Sequence, residues 1–225
     1  MNGSIRTPRR HRPLARLCTI SLAALLLLSS SGCGLLVHSI YWVRGNKTPA
    51  AFGGLENKKV AVICVSPSSD YGRDTKAEML SRMVGSILQS EGNKIEVIRY
   101  EKIADWMDRN QWDQIDYQVV GRGVGADMVV AIDLSHFSLR DGQTIYKGRA
   151  SASVKVYDLA QDVEVFRRDF PEFQYPVNGG LHSADTSEYR FKQLFMQVLA
   201  KQIAKQFYAY ESTDDFANDA SINAL

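Results

Sequence analysis

The period of the hydrophobic positions changes repeatedly along this chain, and each change marks an element. From Lys59 to Val65 the apolar residues run almost unbroken, as Val60-Ala61-Val62-Ile63-Cys64-Val65, the pattern of a strand covered on both faces. Ser66-Pro67-Ser68-Ser69-Asp70 then supplies turn and cap residues, and apolar pairs recur one helical turn apart at Met79-Leu80, Met83-Val84 and Ile87-Leu88. Gly92-Asn93 closes that helix and Ile95 to Arg99 reads as a second strand. Residues 59–99 are therefore expected to form a right-handed β-α-β unit. Ile103 to Arg109 and Asp113 to Val120 look like short helices, the second opened by Asp113 as its cap. Gly121-Arg122-Gly123-Val124-Gly125 closes a helix and precedes a strand. A dinucleotide-binding loop has the opposite order, so these glycines read as a helix C-terminal cap.

Met128 to Phe137 is strongly apolar and predicts a central strand, followed by the Asp141-Gly142 signal of a hairpin. Thr144 to Asp158 then alternates with period two. Tyr146, Gly148, Ala150, Ala152, Val154 and Val156 face one way; Ile145, Lys147, Arg149, Ser151, Ser153, Lys155 and Tyr157 face the other. The first face is mostly small and admits a closely packed helix, while the second is wet. A turn at Asp158 to Asp162 leads into Val163 to Phe170, after which Pro171, Pro176 and Gly179-Gly180 mark a loop. Asp185 with Glu188 resembles a capping box. Phe191, Leu194, Phe195, Val198, Leu199, Ile203 and Phe207 beyond it form a long amphipathic helix. The fold class expected is α/β (α+β): a β-α-β unit, two short helices, a three-stranded antiparallel meander and a C-terminal amphipathic helix, making one mixed sheet with helices packed on it.

Ahead of all this lies a different pattern. Leu17 to Leu28 is an apolar run preceded by Arg6, Arg9, Arg10, Arg12 and Arg16 and followed by Ser31-Gly32-Cys33-Gly34. A basic start, a short apolar core and small residues before a cleavage point make a secretory signal. The core is shorter than the roughly 20 residues that a spanning helix needs. The cysteine makes the segment resemble a bacterial lipoprotein signal, with Ser30 where leucine is usual; the resemblance implies that Cys33 is lipidated and becomes the mature first residue. The organisation expected is 1–32 signal, 33–57 lipidated tether and linker, 58–210 folded domain and 211–225 a disordered acidic tail. Leu35 to Val43 is apolar and aromatic, and either rests at the membrane interface or packs onto the domain. Gly34 stands where Asp would retain such a lipoprotein at the inner membrane, which favours the outer membrane.

Charge and cysteines fit that setting. Of 27 Lys and Arg in the 225 residues, five leave with the signal, so 22 face 25 Asp and Glu and the net charge becomes −3. That removes the global argument for nucleic acid. Cys18 leaves with the signal and the lipoprotein resemblance assigns Cys33 to lipid, so Cys64 remains alone in an apolar strand and reads as a small buried hydrophobe. No metal or cofactor motif is present. Asp133 stands on the face of Val129, Ala131 and Phe137 and reads as a hydrogen-bonded structural carboxylate; three residues on, His136 is expected to point the other way. Ser66, Ser68 and Ser69 either cradle an anion or simply cap and turn. Lys147, Arg149 and Lys155, joined by Arg168 if the register allows, form a basic row that is either solvated or meets an acidic protein or anionic envelope polymer.

Lys58-Lys59-Val60-Ala61-Val62 before a helix, Gly125-Ala126-Asp127-Met128-Val129-Val130 opening the central strand, and Val154-Lys155-Val156-Tyr157-Asp158 before a turn carry a resemblance. They resemble periplasmic α/β lipoproteins, the nearest named group being the curli-export (CsgG-like) lipoproteins, whose fold is close to the amino-terminal domain of the Tol-system β-propeller protein. The resemblance implies an envelope setting, and the chain lacks the long inserted hairpins of the export pore. The function expected is a membrane-anchored, periplasm-facing binding or assembly module for envelope components. Its alternatives are a hydrolase-like enzyme using Ser66, Asp133 or His136, and an oligomeric export component.

Overall fold

The computed structural model describes residues 47–67, 74–110 and 116–211. The signal, Cys33, the tail from 212, and Ser68, Ser69, Asp70 and Asp113 lie outside the described residues. The elements in order are β1 (Lys47–Thr48), β2 (Lys59–Val65), α1 (Thr75–Glu91), β3 (Glu96–Val97), α2 (Tyr100–Arg109), α3 (Tyr117–Val124), β4 (Met128–Asp141), β5 (Ile145–Asp158), β6 (Val163–Tyr175), β7 (Leu181–His182), α4 (Glu188–Ala204) and β8 (Tyr210–Glu211). One sheet of six strands runs β3-β2-β4-β5-β6, with β7 beside the start of β5. β2 is parallel to β3 and β4, whereas β4, β5 and β6 form the antiparallel meander. This is the mixed sheet with packed helices that the hydrophobic pattern predicts.

The parallel half is buried on both sides, which is why β2 reads as a continuous apolar run. Val60, Val62 and Cys64 join Met128, Val130 and Ile132 in the core beneath α1 and α4. Ala61, Ile63 and Val65 face the other way with Val129 and Ala131, under Ile103 of α2 and Tyr117, Val120 and Val124 of α3. In the meander the small-residue face of β5 is buried against α4, as its period-two pattern requires. A Cβ at Gly148 would collide with the Phe195 ring, so glycine is what lets α4 approach there.

Several elements differ from the pattern, each for a local reason. β3 pairs over two residues only. β6 continues through Pro171, because the register steps from Ala152 opposite Phe170 to Ala150 opposite Phe173; that bulge on a terminal strand accommodates a residue with no N–H. α3 starts at Tyr117 rather than Asp113, capped by Asp116, whose carboxylate accepts the Gln118 and Val119 N–H groups. Gly121 and Gly123 lie inside that helix, pressed on Val129 and Trp106 respectively. Only Gly125, at φ +75°, is the cap itself, with Gly125 N–H to Arg122 O and Ala126 N–H to Gly121 O closing a Schellman motif. The cap of α4 is Ser187, while Asp185 sits in the turn before it. From Lys47 the stretch expected to be linker is ordered: β1 pairs with β8, Phe52 N–H donates to Gln206 O at 2.8 Å, and Leu55 is fully buried.

Candidate functional site

Among the described residues, two places that bring chemistry-bearing side chains together bear on the residues the sequence singles out. The first centres on Asp133, at the top of the buried part of β4. Its register partner is Ser153, and Lys155 stands diagonally across, opposite Ala131. The long lysine side chain reaches back so that Nζ donates to Asp133 Oδ2 at 2.8 Å. Tyr117, the first residue of α3, donates its hydroxyl to Oδ1 from the other side. The Tyr117 ring stacks on Tyr157 at 6.3 Å between centroids. Both carboxylate oxygens are thus engaged by groups from two other elements, α3 and β5, the arrangement that makes a half-buried charge tolerable. The hydrogen bond to Asp133 raises the Lys155 amine, against the lowering effect of burial. Burial raises the Tyr117 phenol strongly, with the bond to Asp133 adding to it.

The second place is a shallow pocket of about 160 Å³ at the carboxyl end of β2, lined by Ser66, Pro67, Lys76, Leu134, His136 and Phe137. It brings Ser66 and His136 to one depression, although the Ser66 hydroxyl is itself bonded to Asp74, the cap of α1. A bulge at Ser135 changes the faces expected on β4. His136 stands opposite Ser151 and Asp133 opposite Ser153, so the two share the wet face, while Phe137, opposite Ala150, turns inward onto Phe195. The expectation that Asp133 shares a face with Phe137 and opposes His136 is corrected by that one extra residue. Cys64 is buried, and burial first, then the charges of Asp74 and Asp133, push its thiol well up, so it stays protonated.

The basic row is only partly a row. Lys147, Arg149 and Lys155 do lie on the wet face of β5, but Lys155 is committed to Asp133, and Arg149 pairs with Asp141 at 2.8 Å. Arg168 stands opposite the buried Val154 and so belongs to the helix side. Its neighbour Arg167, opposite Lys155, is the residue that joins the row, and it pairs with Glu164 at 2.7 Å. Neither Tyr117 as a partner of Asp133 nor Arg167 stands out in the sequence. The helix-to-strand contact has no spacing signature, and the register of β6 is shifted by a bulge between Val156 and Tyr157 of β5. Among the described residues no group of three or more His, Cys, Asp or Glu could hold a metal ion, and no helix is long and apolar enough to cross a membrane.

No protein-family model and no curated protein matches the chain. Among solved structures it is similar to lipoprotein GNA1162 from Neisseria meningitidis, at 13% identity over 65% of this chain and 97% of that one, with a TM-score of 0.42. It is also similar to the hypothetical protein CT253 from Chlamydia trachomatis, at 16% identity over 64% and 92%, TM-score 0.43. The C-terminal domain of LpoB from Salmonella enterica is a further likeness, at 10% identity over 61% and 92%, TM-score 0.37. At these identities and scores, the likeness carries no statement about what this chain does.

Proposed function

We propose that this protein is a membrane-anchored lipoprotein of the bacterial envelope, held by Cys33 and facing the periplasm, whose domain binds and assembles other envelope components. The sequence around Cys33 supports the anchor. The observation that carries the binding role is the wet side of the meander. α4 covers one side of β5 and β6, with α1 beside it over β2 and β3, whereas α2 and α3 lie at the β2 and β4 end of the opposite side. What remains is an open polar sheet carrying Lys147, Arg149, Ser151, Ser153 and Lys155. The serines are already used, Ser151 on Pro171 O and Ser153 on Asp169, and Lys155 is held by Asp133, so the cations offered at the rim are Lys147 and the Asp141-paired Arg149. An acidic protein surface or an anionic envelope polymer complements it, with charge mainly speeding and orienting encounter.

A hydrolase reading asks Ser66, Asp133 and His136 to act together, yet the Asp133 carboxylate is spent on Tyr117 and Lys155. The test is cross-linking in intact cells with Lys147→Glu/Arg149→Glu. Lys155 is left in place because its removal strands Asp133. Both side chains are half-buried and Arg149 gives up its pair with Asp141, so melting is followed in parallel; the double variant is expected to lose the partners that the parent captures. An unchanged set of captured partners would refute docking on this face.

A further inference from the structure

The two edges of the six-stranded sheet are finished differently. At the β3 edge the strand donors are capped from α1: Gln89 accepts the Val97 N–H at 2.9 Å, and Ser81 Oγ accepts the Cys64 N–H at 2.8 Å. The opposite edge is β6, which runs for 13 residues and, among the described residues, has no strand on its outer side. An edge of that length presents a row of unpaired N–H and C=O groups and is a template for another strand. Val163 and Val165 near its start are 45% and 36% exposed. Bulges interrupt the strand at Val165 and again at Pro171 and Glu172, leaving one regular run between them, Phe166-Arg167-Arg168-Asp169-Phe170.

That run is self-complementary when read backwards. Phe166 and Phe170 lie toward the helices, where both pack on the core; Arg167 and Asp169, opposite Lys155 and Ser153, lie on the open side. We propose that the run pairs antiparallel with the same run of a second copy, about a two-fold axis at Arg168. Phe166 then meets Phe170 of the second copy on one side of the joined sheet and Arg167 meets Asp169 on the other, each contact occurring twice by symmetry. This register keeps all five residues of the run opposite one another, whereas a shift by one brings a bulge residue into the pairing or sets Arg167 against Arg168. Arg168 meets its own counterpart at the axis, the one unfavourable contact. Arg167 is about half exposed and, among the described residues, forms its ion pair with Glu164 at the surface, so its guanidinium is available to exchange partners. The pairing leaves Lys147 and Arg149, several residues along β5, uncovered, so the docking test above and this one fail independently.

The experiment is sedimentation of the full chain in mild detergent over a range of concentrations. The parent is expected to dimerise. Arg167→Asp sets two acidic pairs across the axis and Asp169→Arg sets two basic ones, so each variant alone should dissociate at a concentration about tenfold higher or more. An equimolar mixture of the two single variants restores both opposite-charge pairs and should recover a heterodimer, and Arg167→Asp/Asp169→Arg in one chain should recover a homodimer. Melting of each variant is followed in parallel, and the double swap carries the test if a single variant melts early. A parent that stays monomeric overturns the proposal, as do dimers that survive both single substitutions. Single variants that dissociate with neither the mixture nor the double swap restoring association overturn it equally.

Discussion

The contact between Phe195 and Gly148 lets the packing of α4 be tested as a pair rather than residue by residue. Phe195 is fully buried, lies 5.4 Å from Phe137, 6.1 Å from Phe173 and 6.4 Å from Phe191 between ring centroids, and rests against the glycine backbone of β5. Phe195→Ala removes a core aromatic and leaves a cavity, an expected loss of about 3–5 kcal/mol. Gly148→Ala drives a methyl into the same ring; overpacking of that kind costs about 1–3 kcal/mol, reduced by the 0.5–1 kcal/mol that alanine gains over glycine in a strand. In the double variant the new methyl occupies part of the space that the ring vacates, so the two losses should not add. The expected coupling is about 0.5–3 kcal/mol, with the double variant more stable than the sum. Urea unfolding of the parent, two singles and the double measures it, provided the slopes agree. Additive losses within about 0.3–0.5 kcal/mol would show that the ring and the glycine do not touch and would refute the placement of α4 on β5.

Two further outcomes are expected. The Tyr117 and Lys155 groups are both raised in the folded protein, from ordinary values near 10.0 and 10.5, so their stabilisation is complete below those values and is lost as pH climbs beyond about 10; Tyr117→Phe should flatten the alkaline fall of unfolding free energy, and an unaltered slope would contradict the Asp133 cluster. Cys33→Ala should abolish labelling by a fatty-acid probe and move the protein from the membrane to the soluble fraction, since stable anchoring rests on acyl chains worth about 0.8 kcal/mol per buried CH₂; unchanged labelling would refute the anchor.

What the sequence discloses here follows from how far each signal reaches. The unbroken apolar run of β2, the paired stripe of α1 and the period-two face of β5 are local consequences of burial, and each element stands where they place it. Misplaced features turn on single residues. Asp116 rather than Asp113 caps α3, Ser187 rather than Asp185 caps α4, and Pro171 is absorbed by a bulge instead of ending β6. Both kinds of choice are made by tertiary fit among neighbours with similar propensities. The site shows the same division. Asp133 is legible as an unusual carboxylate in an apolar strand, but its tyrosine partner comes from α3 across the layer, and a bulge at Ser135 decides which face His136 takes. Period-two reasoning holds only up to the first inserted residue.

The ribbon of β1 and β8 has a mechanical consequence. The chain enters the domain at Lys47 and leaves it at Glu211 on adjacent strands joined by two residue pairs, Lys47 with Glu211 and Thr48 with Tyr210. A pull that separates the segments before and after these strands opens the ribbon from its end, one pair at a time, as a zipper does. Slack is therefore released at a two-residue joint first, before the longer ladders between β2, β4, β5 and β6 bear any load.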